Sequence, residues 1–276
     1  MRLAPPVVLL FLCAACLHAQ SPAERGEPPP IQDNSFLIEE AYNQEPGVVQ
    51  HINTFQRLRG GPWVATFTQE WPVPGQAHQL SYAIAWQRVE AEAGRRTGLG
   101  DVAVNYRYQL VGNGEARVAI APRLSVLLPT GDESKGLGAG ATGFQLGVPV
   151  STVLSGRLVA HWNAGITYTP RARNARGDRA DTAAVNLGQS TIFHVSPRLD
   201  LMLEDVWNRS QSVAGPGKTA RQDSFFLNPG VRFAFNFASG LQIVPGIAAP
   251  IGVGPSRGDR AVLLYLSFEH PMWKAR

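Results

Sequence analysis

The sequence predicts an all-β protein: a closed antiparallel up-and-down transmembrane barrel of about twelve strands. Three observations favour this class. Apolar and polar residues alternate with a period of two from Val48 onward, the connections between these segments alternate between short and long, and the polar stripes are poor in Lys and Glu. A transmembrane barrel has short periplasmic turns and longer outer loops, so it accounts for all three.

The first residues are typical of a secretory signal. Arg2 precedes an apolar run from Leu3 to Cys16, and Ala19 offers a small residue at a cleavage site, which predicts a signal peptide over residues 1–19. Both cysteines of the chain lie in this stretch, so the remainder has no disulfide, thiol chemistry or Cys-ligated zinc. Residues 20–33 form a Pro-rich linker. No later apolar run reaches the roughly 18 residues that a membrane helix needs.

Residues 34–46 do not alternate, and they combine apolar residues with the three acidic residues Glu39, Glu40 and Glu45. We expect a short helix or a plug inserted into the barrel. The hypothesis is that these acidic side chains pair with inward-facing arginines and gate a pore.

The barrel itself is predicted over residues 47–273. Its clearest strands are 100–111, 116–128, 157–169 and 222–237, and weaker ones lie near 48–57, 63–71, 78–89, 142–154, 184–195, 197–208, 240–251 and 260–271. Short connections such as Ser155-Gly156 and Ser239-Gly240 alternate with long ones at 129–141, 170–182 and 209–221. Two-residue turns require antiparallel neighbours.

The composition of the two stripes predicts which one faces outward. The polar stripe contains Asn, Gln, Ser, Gly, Ala and Arg rather than the Lys and Glu of a water-exposed sheet, and aromatic residues gather toward strand ends, at Trp63, Trp71, Tyr168, Trp207 and Trp273. We therefore expect the apolar stripe to contact lipid. Closure of the sheet is then mandatory, because an open edge in hydrocarbon leaves backbone groups unpaired. Prolines 122, 149, 229 and 245 predict local bulges.

Polar residues of the inward stripe are the candidate pore-lining residues. They are Asp101, Asn105, Arg107, Arg123, Arg157, His161, Asn163, His194, Asp200, Glu204, Asn228 and Arg232. Two readings stay open: interior ion pairs that hold the barrel in shape, or a charged constriction that selects solutes.

Other chemistry receives less support. His161 and His194 with Ser190 suggest a hydrolase or metal site, but no carboxylate has suitable spacing, and hydrogen bonding within the lumen is the simpler interpretation. The basic stretch between Arg171 and Asp181 is either a solvated loop or a contact for lipopolysaccharide phosphates or anionic solutes. We predict no catalytic residues, metal, cofactor or nucleic acid.

The run from Asn34 to His51, the strand opening Gly98-Leu99-Gly100-Asp101 and the strand ending Pro129-Thr130-Gly131-Asp132 together resemble a bacterial family. The family consists of outer-membrane barrels grouped as transporters of the phenol meta-pathway type (MetA-pathway of phenol degradation). The resemblance implies an outer-membrane channel-like protein. Such barrels often end on an aromatic residue, whereas here three residues follow Trp273. Phe268 or Trp273 would then serve in place of the terminal aromatic residue.

The leading hypothesis is a bacterial outer-membrane channel through which small solutes, aromatic or anionic ones among them, pass passively. Its partners would be outer-membrane lipid, lipopolysaccharide and an unidentified solute. The alternatives are a closed structural or adhesive barrel, an outer-membrane lipid hydrolase and a soluble secreted sandwich.

Overall fold

The structure, a computed structural model, describes residues 31, 34–91, 94–112 and 116–272. The predicted signal peptide, most of the linker and Trp273 lie outside these residues. The described part of the chain forms a closed antiparallel barrel of twelve strands with almost no helix. In chain order the strands are β1 Val48–Leu58, β2 Trp63–Pro72, β3 His78–Ala91, β4 Gly94–Leu99 with Val102–Tyr108, β5 Val118–Ile120 with Arg123–Leu128, β6 Gly143–Ser155, β7 Leu158–Arg173, β8 Arg179–Ser196, β9 Leu199–Gly215, β10 Lys218–Phe233 with Phe235–Asn236, β11 Gln242–Ala248 with Ile251–Gly252, and β12 Ala261–Pro271.

The first and last strands close the sheet. β1 and β12 pair antiparallel along their whole lengths, from Val48 opposite Pro271 to Leu58 opposite Ala261. Each strand between them pairs with its neighbours in sequence, so the sheet has no free edge. The predicted fold class and strand number are confirmed. None of the described residues forms a helix long and apolar enough to cross a bilayer.

The faces of the barrel are oriented as predicted. Tyr106, Trp162 and Phe233 lie on the outside and are 38–39% exposed, whereas the neighbouring Asn105 and Arg107 are almost fully buried. Buried polar side chains and exposed large apolar ones therefore alternate along the strands, the reverse of a soluble barrel. The outer surface is apolar and the polar stripe encloses the interior.

The connections differ from the prediction at one end of the barrel. We call the end at which β1 begins the N-terminal rim, and the other end the distal rim. The distal rim carries the connection 129–142, which includes a 3₁₀ turn at Glu133–Lys135, and the connection 253–260. The predicted long loops 170–182 and 209–221 are wrong, because β7 to β10 continue through them to connections at 174–178 and 216–217.

These strand extensions escaped prediction because both of their faces are polar. Where these strands extend beyond the lipid, neither face needs apolar residues. The alternation of apolar and polar residues therefore ends there, although the backbone hydrogen bonds between the strands continue. Arg209 and Asp223 are register partners there, and the guanidinium Nε of Arg209 lies 2.7 Å from Asp223 Oδ1. Pairs of opposite charge across strands support such a ladder.

Proline interrupts the sheet at one of the predicted places. β5 is broken at Ala121 and Pro122, where Ala121 donates its amide hydrogen to the carbonyl of Pro149 on β6. Proline has no amide hydrogen to donate to the ladder. The prediction is wrong at Pro149, Pro229 and Pro245, which lie within β6, β10 and β11 without a shift of register.

Candidate functional site

Residues 34–46 lie inside the barrel. They form bends and extended backbone, so the predicted alternative of a short helix is wrong, and residues 34–44 are all buried. Their hydrogen-bond and ion-pair partners include inward-facing side chains of β1 and of every strand from β3 to β10. The segment therefore crosses the interior, and we call it the inner segment.

The C-terminal end of the inner segment lies at the N-terminal rim, where glutamines hold it. Gln44 donates its amide hydrogen to Gln79 Oε1 over 2.9 Å and its side-chain amide to Gln50 Oε1 over 2.8 Å. Gln79 in turn donates to Glu70 over 2.8 Å. This chain of amides ties the inner segment to β1, β2 and β3.

Arg107 of β4 binds the adjacent part of the inner segment, residues 40–43. Arg107 donates from Nε to Asn43 Oδ1 over 2.8 Å, from Nη2 to the Tyr42 carbonyl over 2.7 Å and from Nη1 to the Glu40 carbonyl over 3.2 Å. All three nitrogens of a buried guanidinium thus reach the inner segment. A buried cation must be satisfied in this way, because desolvation is otherwise costly.

Tyr42 fixes the inner segment to the N-terminal rim. Its hydroxyl donates to the carbonyl of Ala116, over 3.0 Å, in the connection between β4 and β5. Burial, with a smaller contribution from the Glu40 carboxylate, raises the pKa of the Tyr42 hydroxyl well above its ordinary range. The hydroxyl therefore remains a donor.

The acidic side chain of Glu39 forms the central ion pair. Its Oε1 lies 3.0 Å from Arg123 Nη2, and the two side chains are 4% and 6% exposed. The backbone of Glu39 exchanges two hydrogen bonds with Asn163: its amide donates over 2.7 Å and its carbonyl accepts over 2.8 Å. Both polar ends of this residue are satisfied by the wall.

A second carboxylate, on β9, holds the inner segment by its backbone. Glu204 Oε1 accepts hydrogen bonds from the amides of Leu37 at 2.8 Å and Ile38 at 3.2 Å, while Asn228 of β10 donates to its other oxygen. Next along the inner segment, the hydroxyl of Ser35 donates to Ser190 of β8 over 2.6 Å.

Phe36 occupies a socket made by two glycines. A Cβ on Gly230 would lie 2.4 Å from the Phe36 ring and one on Gly246 would lie 2.5 Å from it, so no larger residue fits at either position. The ring also meets Tyr265 edge to face at 5.6 Å. A cavity of about 10 Å³ remains beside Phe36, toward β1, β2 and β12, which is about the space of one water.

The first residue of the inner segment, Asn34, reaches a buried triad of Arg232, Asp200 and His194. Arg232 Nε donates to Asp200 Oδ2 over 2.8 Å, and His194 Nδ1 lies 2.7 Å from the other carboxylate oxygen. Arg232 also donates to the carbonyl of Asn34. The charges of Arg232 and Asp200 are thus paired with each other, and both residues belong to strands of the wall.

The structure brings most of the predicted site residues together. Arg107, Arg123, Asn163, Glu204 and Arg232 contact the inner segment directly, and Asn105, His161, His194, Asp200 and Asn228 support them. Arg157 is not among them, because it is exposed in the turn after β6.

Two further predicted residues lie at the ends of this system. Asp101 is half-buried and outside the strands, and its carboxylate accepts the amides of Gly131 at 2.9 Å and Ala139 at 2.7 Å, so it holds the connection 129–142 at the distal rim. Glu45 is partly exposed where the inner segment ends. Whether any of these residues lines a conducting pore stays a prediction.

Sequence reasoning missed the neutral partners. Gln79, Gln109 and Ser151 all bond the inner segment, and Gly230 and Gly246 form its socket. The alternation of apolar and polar residues along the strands does predict that these residues face inward. Their contact with residues 34–46 could not be predicted, because it depends on the path of the inner segment.

The serine and histidine suspected of catalysis have other partners. His161 Nδ1 lies 2.7 Å from Ser151 Oγ, which also accepts the amide of Ala41 over 2.7 Å. Ser190, the register partner of His161, accepts from Ser35. Within the described residues His161 has no hydrogen bond to a carboxylate, and no three metal-ligating side chains come together.

Comparisons with known proteins agree with this architecture. A sequence model of the family described as "Putative MetA-pathway of phenol degradation" matches residues 52–247, more than half of the chain. The chain is similar to the COG4313 outer membrane channel from Pseudomonas putida F1, at 13% identity and a TM-score of 0.60, over 83% of this chain and 97% of that one. This likeness shows a shared fold.

Two more distant similarities are with a KdgM porin (7% identity, TM-score 0.49, 79% of this chain and 98% of that one) and the CymD monoaromatic hydrocarbon channel (10% identity, TM-score 0.39, 82% and 89%). No curated protein matches the chain.

Proposed function

Because the chain belongs to the MetA-pathway of phenol degradation family, which its sequence resembles, we propose that it is an outer-membrane channel for the passive passage of small solutes. The observation that carries the proposal is the belt of polar side chains that encloses the interior, together with the inner segment bonded to it. A barrel with an apolar outer face and a polar lumen is the arrangement of outer-membrane channels.

In this proposal the distal rim faces outward, because β7 to β10 extend past the apolar stripe there and the long connection 129–142 lies at the same rim. The N-terminal rim, with the turns 156–157 and 197–198, then faces the periplasm. The inner segment then closes the channel from the periplasmic side. Hydrogen bonds and the ion pair between Glu39 and Arg123 hold it, and solvent or a solute can replace such contacts one at a time.

We propose small anions as the preferred solutes. Arg107 and Arg123 are register partners on β4 and β5, and both point inward, so two like charges lie side by side on the wall. Glu39 and three polar atoms of the inner segment compensate them. When the inner segment leaves, the two guanidinium groups become donors for an anion.

The experiment is single-channel recording of the full chain in planar bilayers across a KCl gradient. We expect low conductance for the wild type and a larger, anion-selective conductance after deletion of residues 34–46. In the deletion background, Arg107→Gln with Arg123→Gln should reduce the anion preference, whereas Arg157→Gln, in an exposed turn, should leave it unchanged. Unchanged conductance after the deletion would remove the gating role of the inner segment.

A closed structural or adhesive barrel is the second candidate, because the inner segment fills the interior so closely that about 10 Å³ remains beside Phe36. It predicts that the wild type shows no openings to small ions at any voltage, whereas a channel gated by the inner segment opens briefly. The deletion variant conducts in either case. The same recordings therefore separate the two functions.

A further inference from the structure

A groove of about 440 Å³ lies on the outer surface of the wall formed by β12, β1, β2 and β3. The short side chains of Asn53 and Ala65 leave this depression, and Phe55, Phe67, Trp86 and Leu264 rise around it. Its volume is in the range of ligand pockets, roughly 300–1,000 Å³. Because its lining is almost wholly apolar and faces outward, its occupant is hydrocarbon.

A cationic row lies directly beyond the groove, toward the distal rim. Arg57, Trp63 and Arg88 are consecutive register partners on β1, β2 and β3, each two residues closer to the distal rim than Phe55, Ala65 and Trp86. The guanidinium carbon of Arg88 lies 5.6 Å from the centre of the Trp63 ring. The ring separates the two arginines and fixes their spacing at two strand widths, about 10 Å.

The two arginines of this row have no ion-pair partner among the described residues. Arg88 donates a hydrogen bond to the hydroxyl of Thr97. The nearest acidic residue on β3, Glu90, is paired with Arg95 at 3.0 Å. Exposed Arg59 and Arg260, whose backbones are hydrogen-bonded at 2.7 Å, add positive charge at the same rim.

An apolar groove below a row of arginines matches a molecule with acyl chains and phosphate groups. We propose that this surface binds the phosphorylated glycolipid of the outer leaflet, lipid A of lipopolysaccharide, with an acyl chain in the groove and phosphates on Arg57 and Arg88. Arginine binds phosphate through paired, charge-assisted hydrogen bonds, and the aromatic Trp63 lies where chains meet headgroups. The choice of leaflet rests on the orientation given with the proposed function.

The test is binding of fluorescent lipid A to the purified, delipidated full chain. The variants are Arg57→Gln with Arg88→Gln, which removes the phosphate donors, and Ala65→Phe, which fills the groove. Arg221→Gln is the matched control, because it removes an exposed arginine of β10 near the same rim. We expect about a tenfold or greater loss of affinity for the first two variants and a change below twofold for the control.

Three results would overturn the proposal: equal binding by all variants, equal binding of dephosphorylated lipid A, or tighter binding of phosphatidylglycerol vesicles than of lipid A. The last result would assign the site to a glycerophospholipid and reverse the choice of leaflet. None of these depends on conductance, so the proposed channel function is tested separately. Retention of the heat-modifiable mobility of a folded barrel verifies that each variant is folded.

Discussion

Glu39 and Arg123 form an ion pair 3.0 Å long inside the barrel, although they are 84 positions apart in the chain and Glu39 belongs to no strand. The pair joins the inner segment to the wall at a point where Arg107 lies directly across the ladder. The inner segment therefore neutralises charge that the wall alone does not balance at this place.

Removal of one member of this pair should loosen the inner segment. Glu39→Gln leaves Arg123 buried with only neutral partners, and a broken buried ion pair costs about 3 kcal/mol, or about a hundredfold in the closed-to-open ratio. Single-channel open probability measures this change. The double variant Glu39→Gln with Arg123→Gln should recover part of the loss, and strictly additive effects of the two changes would contradict a direct coupling.

The glycine socket gives a steric prediction. Gly246→Ala places a methyl group about 2.5 Å from the Phe36 ring, so the ring must leave its position. We expect faster protease cleavage within residues 34–46 and an unchanged barrel. Phe36→Ala combined with Gly246→Ala should bring no further cleavage beyond Phe36→Ala alone. Gly156→Ala is the control, because a Cβ there meets nothing within 4 Å. A Gly246→Ala protein as resistant as the wild type would exclude the socket.

Asp101 should govern the order of the connection 129–142. Asp101→Ala removes the acceptor of two amide hydrogens, those of Gly131 and Ala139, and each charge-assisted bond contributes about 1.5–3 kcal/mol. We expect hydrogen exchange to accelerate at these two amides while amides of β4 and β6 keep their protection. Asp132→Asn, at an exposed residue paired with Lys135, is the comparison and should not change exchange at Ala139.

The outer face can be tested by charge. Leu124 points outward near the middle of β5 and is 60% exposed. Leu124→Arg should destabilise the barrel in phospholipid vesicles by about 2–4 kcal/mol, the cost of an arginine at the bilayer midplane, in urea titrations of folding. Ser155→Arg, near the turn after β6, should cost less than about 1 kcal/mol. Equal costs at the two sites would mean that this face does not contact hydrocarbon.

The barrel was predictable from the sequence because each transmembrane strand carries its own signal. The alternation around Tyr106 and Arg107 identifies both the strand and its faces without knowledge of any other part of the chain. The extensions of β7 to β10 lost that signal where lipid ends, since Arg209 and Asp223 support a strand whose two faces are both polar.

The interior was only partly predictable. The alternation of polar and apolar residues correctly identified Arg123, Glu204 and Arg232 as inward-facing side chains. Residues 34–46 have no such alternation, so their path could not be predicted. The position of Phe36 against Gly230 and Gly246 follows from a path that only the closed barrel defines. Arg157 was misplaced for the related reason that a turn residue inherits no direction from the strand before it.

The partners of the inner segment are distributed from Gln50 to Arg232, most of the length of the chain that follows it. No single hairpin supplies all of these partners. The backbone amide of Met272, which follows the last strand, donates to the carbonyl of Gly47, the residue after the inner segment. Residues 34–46 thus precede in the chain every strand that they bind, and their full set of partners exists only when strands from β1 to β10 are assembled around them. The closure of the lumen is therefore a property of the assembled wall and not of any local stretch of sequence.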